Sequence, residues 1–350
     1  MPLPFLILSL PAWGAPRRCS PHKTTRIPPA LGGHAVPGHD RTPFTAAGPR
    51  NVKAVSGNNT DVRDFLVTRR ARITPQQAGL QFYGGNRRVP GLRREEVAML
   101  AGVSADYYTR LEKGNLAGVS DSVLEAIAGA LQLTEAERLH LYDLARAANT
   151  TPARAARRRP APEIRPGIRL ILDGMTDTPA FVRNGRLDIL AINPLGRALY
   201  SPVFAHPGSP PNLARFNFFD PAAREFYPSF DDSARTTVEL LRTEAGRDPF
   251  NPSLTSLIGD LSTRSEEFRA LWAAQNVRLH RSGIKHFRHP AVGVLDLMFE
   301  AMALEADEGL TLTAYTAQPG TPSHDGLKLL ASWAATRDTE DSQSRPSDAL

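Results

Sequence analysis

The chain has one cysteine in 350 residues, Cys19. It therefore closes no internal disulfide and builds no thiolate zinc site, and a lone thiol fits a reducing compartment. It lacks any apolar run near the ~20 residues needed to span a bilayer. The opening MPLPFLILSLPAWGAP is short, is interrupted by Pro2 and Pro4, and has no basic residue ahead of its apolar stretch, which argues against a signal peptide. Residues 15–58 are rich in Pro, Gly, Thr and Arg without periodicity. Residues 1–58 are thus expected to be a disordered tail or an extension from a misplaced start. No Gly-rich phosphate loop follows a strand, neither Ser201 nor Ser282 sits in a nucleophile elbow, and no helix carries a His-x-x-x-His pair.

What is present is an uneven charge. The net +6 conceals a basic excess in residues 1–60 and 151–169, against an acidic balance over residues 170–350. The basic segments flank the run RREEVAMLAGVSADYYTRLEKG, Arg93–Gly114, around which the first half is organised. Val97, Ala98 and Ala101 share a helical face. Gly102 stands at a sharp corner where a side chain is expected to obstruct the turn. Ser104 is placed to cap a second helix, Tyr108 and Leu111 point back onto the first, and Gly114 ends it. The product is a helix-turn-helix whose second helix can enter a major groove.

The flanking pattern supplies three more helices. Val62, Phe65, Leu66 and Arg69 recur at helical spacing before Pro75. Ser120 is expected to cap a helix with an apolar stripe at Val123, Leu124, Ile127, Leu131 and Leu133. Thr134 and Glu137 form a capping box ahead of Leu139, Tyr142, Leu144 and Ala145. Five helices over residues 59–148 make an all-α domain. A Pro/Arg-rich linker follows over 149–167, with the run Arg157–Arg159.

Past Ile168 the periodicity changes. A short helix ends at Gly174, and β-like runs flank Asn184-Gly185, a hairpin signal. Helical segments then precede three further strand-like runs and a final amphipathic helix. Five strands, with helices inserted between the second and third, predict an antiparallel α+β sheet covered on one face over residues 168–336, then a disordered tail over 337–350.

The run GGNRRVPGLRREEVAMLAGVSADYYTRLEKG resembles Xre-type, lambda-repressor-like helix-turn-helix domains, and more narrowly actinobacterial MmyB-like regulators. ILAINPLGRALY, HPAVGVLDLMFEAM and LTAYTAQPGTPSHDGLKLL resemble the MmyB-like C-terminal domain. The resemblance implies a five-helix DNA-binding domain followed by a PAS-like ligand-binding domain in a cytoplasmic, nucleoid-associated transcription regulator. Base reading of double-stranded DNA then falls to Ala105, Asp106, Tyr107 and Arg110, with Arg110 able to donate twice to guanine. Arg87, Arg88, Arg93, Arg94, Ser104 and Lys113 are the phosphate candidates.

In the second half, Phe181, Ile189, Leu199, Phe216, Phe219, Trp272, Leu297, Phe299 and Tyr315 are candidate walls for a small apolar ligand, with a fatty acid as one candidate. A homodimer on paired half-sites is expected, and neither a cofactor nor catalysis is. Two rival readings stand beside the sensor. One is a metal site at His280, His286 and His289 with Asp296, where strand alternation puts His280 and His286 on one face and His289 on the other. The other is a docking module without a ligand.

Overall fold

The computed structural model describes residues 52–80, 87, 89–150, 164–205 and 210–343. The readings made for residues 1–51, Arg88, Arg157–Arg159 and residues 344–350 lie outside the described residues. Asn51–Leu350 forms one compact unit.

Five helices open it: α1 Val52–Arg72, α2 Arg94–Leu100, α3 Ala105–Glu112, α4 Asp121–Ala130 and α5 Glu135–Ala148. α1 begins at Val52, inside the stretch read as a tail. Its stripe of Val62, Phe65, Leu66 and Arg69 is buried as its spacing predicts, and it joins Val97, Tyr108, Leu111, Leu124, Ile127 and Leu144 in one core. The capping box at α5 is formed, with Thr134 N–H donating to Glu137 (2.9 Å) and Glu137 N–H to Thr134 Oγ1 (3.4 Å). Ser120 occupies the N-cap of α4 but makes no capping bond; its hydroxyl pairs with that of Ser122 instead. α5 buries Leu144 and Ala145 as expected, but its buried face is wider than the one read. Leu139 is exposed, while His140 and Leu141 are buried, because α5 has a second neighbour in the other half of the molecule.

The second half comprises α6 Pro166–Gly174, β1 Ala180–Arg183, β2 Ile189–Ile192 and α7 Pro194–Leu199, followed by a 3-10 turn. Then come α8 Leu213–Phe219, α9 Ala222–Phe226, α10 Phe230–Arg247, α11 Pro252–Arg264 and α12 Glu266–Ala273. β3 Ser282–His289, β4 Gly293–Ala303, β5 Thr311–Thr316 and α13 Pro322–Gln343 complete it. The strands form one antiparallel sheet in the order β2-β1-β5-β4-β3. The hairpin at Asn184 is present, but its loop is longer than a two-residue turn. Asn184 Oδ1 accepts from the N–H groups of Arg186 (2.9 Å) and Asp188 (3.1 Å), and Leu187 adopts φ +67°.

Strand alternation divides the sheet into two faces. Phe181, Phe287, Leu295, Leu297 and Tyr315 point into the core beneath α7, α9 and α13. The opposite face is not wholly bare. A bulge between Val182 and Arg183 turns Leu190 and Ala191 the same way, and α6 packs Leu172 against Val182 and Leu312 there. At the β3–β4 end that face exposes Ile284, Val294, Met298 and Met302.

Candidate DNA interface and ligand cavity

The helix-turn-helix is fixed from beneath. Ser104 caps α3 by accepting from Tyr107 N–H (3.1 Å), while Tyr108 and Leu111 lie fully in the core. Gly102 adopts φ +65°, but a methyl group there would meet open space. The glycine is required by the left-handed backbone, not by crowding at the corner as the spacing suggested. Gly114 is constrained twice, by φ +100° and by the backbone of Asn59, whose oxygen would lie 2.5 Å from an added Cβ.

Glu112, 1 % exposed at the end of α3, accepts from Arg70 of α1 (2.8 and 3.0 Å) and from Arg94 of α2 (2.8 Å). The two guanidinium groups hold its carboxyl below the usual range despite its burial. One buried carboxylate thus ties three helices, a role that helical spacing alone did not disclose.

The residues read as DNA contacts separate in this setting. Ala105, Asp106 and Arg110 are exposed on the outer side of α3. Tyr107 is half-buried against the core and carries the Arg110 guanidinium 5.1 Å from its ring centre. Asp106 forms no ion pair with Arg110, so the guanidinium is positioned by the tyrosine ring. Arg93 and Lys113 are exposed and unpaired among the described residues, whereas Arg94 is half-exposed with one edge committed to Glu112. Arg87 is not free for phosphate. It donates twice to Glu96 (2.7 Å each), and also to the carbonyls of Val89 (2.9 Å) and Gly91 (2.5 Å), which consumes its fork in bracing the loop.

In the second half a cavity of about 440 Å³ opens between the core face of the sheet and α10. Phe181, Phe299 and Tyr315 line it. Ile189, Leu199, Phe216 and Leu297 lie instead in the surrounding core. Phe219 packs under Arg264, and Trp272 under Arg242, 3.8 Å from the ring centre, so neither is a cavity wall. Aromatic spacing marked these residues as apolar without saying which faced a void.

Two of the cations that line the cavity, Arg183 and Lys285, come from the sheet. Arg183 follows Phe181 by two residues on β1, and Lys285 precedes Phe287 by two on β3, so parity turns both inward. Neither forms an ion pair among the described residues. Glu244, whose charge acts on Arg183, is paired with Arg247 at 2.8 Å. The Lys285 ammonium stands 4.5 Å from the centre of the Tyr227 ring, and burial pushes its pKa down to about 8. At the back, the Tyr200 and Tyr315 hydroxyls share a 2.6 Å hydrogen bond, and burial raises both.

Residues 67–141 match a helix-turn-helix domain, and residues 164–330 match the MmyB-like transcription regulator ligand binding domain. The chain joins a helix-turn-helix domain to an MmyB-like ligand-binding domain. No curated protein matches it. Both matched families belong to transcription regulation rather than catalysis.

The three histidines of the second half read as a possible metal site take separate partners. His280 precedes β3, not within it, and bonds Glu239 (2.6 Å); His286 bonds Asp296 across the β3–β4 pair (2.6 Å). His289 is buried. Its Nδ1 accepts from Ala291 N–H (3.2 Å), so the proton lies on Nε2, which donates to the Ala198 carbonyl (3.0 Å). Ser201 Oγ is 3.2 Å from that same Nε2, which in this tautomer cannot accept the serine proton. No group of three His, Cys, Asp or Glu is arranged for a metal ion among the described residues, and no helix among them is long and apolar enough to cross a membrane.

Proposed function

We propose that this ligand-responsive DNA-binding regulator reads a specific double-stranded site through α3, in the manner of Xre-type domains, and that its cavity takes a small amphiphile with an anionic head. The division into a DNA-binding domain over residues 59–148 and a PAS-like domain over 168–336 belongs to the same reading. Arg110 reads a base edge, while Arg93, Arg94 and Lys113 set register on the phosphates. A homodimer places two such helices on half-sites about one helical turn apart.

The observation that carries the ligand half is the pair Arg183 and Lys285, which line the cavity beside Phe181, Tyr227, Phe299 and Tyr315 and form no ion pair among the described residues. A buried charge without a partner is costly, and an incoming carboxylate relieves that cost while its alkyl chain covers Phe181 and Phe299. A fatty-acid-like anion, one candidate already named from the sequence, has that shape and charge.

The test is selection of genomic DNA fragments by the full chain at moderate salt, with and without laurate. A short recurrent site whose recovery changes with laurate is the expected result. Enrichment no better than random in both conditions would reduce the helix-turn-helix to a packing motif. A site indifferent to laurate, with no laurate binding by calorimetry, would remove the anionic amphiphile.

A further inference from the structure

The segment joining α12 to β3, residues 274–281, is irregular in backbone yet touches both halves of the molecule. At its start Gln275 is buried with φ +56°. Its carbonyl accepts from Arg69 of α1, and its side-chain oxygen accepts from Arg242 of α10 (2.5 Å). Asn276 accepts from Arg72 of α1 (2.5 Å). Val277, 8 % exposed, lies within the core of the helix-turn-helix half, among residues of α1–α5. The next three residues, Arg278, Leu279 and His280, line the ligand cavity. Consecutive Cα atoms are ~3.8 Å apart, so the DNA-binding core and the cavity wall meet here within one residue step.

The segment is laced to α10 by two rungs. His280 bonds Glu239 at the cavity, and Gln275 bonds Arg242 at the seam with the first half. Glu239 and Arg242 are three apart and so lie on one side of that helix. Arg242 is only 2 % exposed and also donates to the Trp272 carbonyl, so its end of the ladder is held firmly. Beyond it, α10 meets α5 at Gly246, where the His140 ring lies so close that an added Cβ would be 2.5 Å from Cε1.

We infer that residues 274–281 are the strap through which the cavity and the DNA-binding half sense one another. An occupant that displaces the Arg278–His280 wall opens the His280–Glu239 rung. It then draws on Val277 and Gln275, loosening α1 and α5 from α10. This rests on the ligand-responsive reading above and adds the physical route. A route of this kind is reciprocal, because a free energy linking two sites acts equally in both directions.

The test is hydrogen exchange on the full chain, without ligand, for the wild type and two variants. Glu239→Gln weakens the cavity rung while keeping a side chain of the same shape. Faster exchange by about fivefold or more at α1 and α5, far from the substitution, is expected. Gln275→Ala cuts the other rung and is expected to speed exchange at the cavity walls, in β3 and the first turns of α10. Changes confined to the substituted rung in both variants would overturn the strap. Laurate calorimetry on the wild type is scored separately. Absence of binding removes the proposed ligand, while the two variants still decide the route.

Discussion

The two halves hold their candidate functional cations in opposite ways. Arg110 stands in water on a helix whose underside is locked by Tyr108 and Leu111, steadied only by the Tyr107 ring. Arg183 and Lys285 line a cavity beside aromatic rings and form no ion pair among the described residues, the carboxylates nearby being bonded elsewhere: Glu239 to His280, Asp232 to Arg235 and Glu244 to Arg247. The first arrangement leaves the charge fully hydrated and screened by salt, suited to an extended anion that brings its own counterions. The second is costly when empty and improves only when a matching anion enters. Exposure serves a polymer; enclosure serves a single small ion.

The strongest way to break the comparison is at the exposed cation. Arg110→Ala is expected to weaken binding to the selected site by about 1–3 kcal/mol while leaving binding to random DNA nearly unchanged. Fluorescence anisotropy on both duplexes checks it, and an equal loss on both would reassign Arg110 to the phosphates. Next comes the support. Gly102→Ala meets no neighbour, so its whole cost is backbone strain of about 1–2 kcal/mol, read by thermal unfolding. A loss well above that would mean the corner is crowded after all.

The enclosed cation gives the most diagnostic effect, a dependence on pH. The folded protein lowers the Lys285 pKa from 10.5 to about 8. Between those values the unfolded chain binds a proton that the folded one has released, so stability without ligand rises with pH across that window. Laurate affinity should move the other way, falling as pH rises through about 8 and the ammonium is lost. Calorimetry at several pH values, repeated with Lys285→Met, separates this from any general alkaline effect, since the variant should lose the trend.

Much of the molecule was legible in the sequence because its signals are local. The stripe from Val62 to Arg69, the cap at Ser104, the box at Thr134 and Glu137, and the five strands all follow from periods and caps that neighbouring residues express. Residues whose role depends on distant partners were not legible in that way. Glu112 has no meaning until Arg70 and Arg94 arrive from two other helices. Arg87 looked available until Glu96 claimed it. Trp272 looked like a pocket wall until Arg242 covered it. Arg183 and Lys285 did carry a signal, a basic residue two places from a buried phenylalanine on the same strand face. Reading it required parity to be applied to polar residues as strictly as to apolar ones.

Gly246 has a consequence for heredity. Any single-base change in a glycine codon that alters the residue adds at least a Cβ, and here that atom would collide with the buried ring of His140. Missense alleles at this codon therefore all open the junction between α5 and α10, and none adjusts it gently. Val277 differs, since one-step changes to Ala, Ile or Leu trim or extend a side chain already accommodated in the core. Graded shifts in how the halves fit are therefore open to mutation at position 277, and only abrupt ones at position 246.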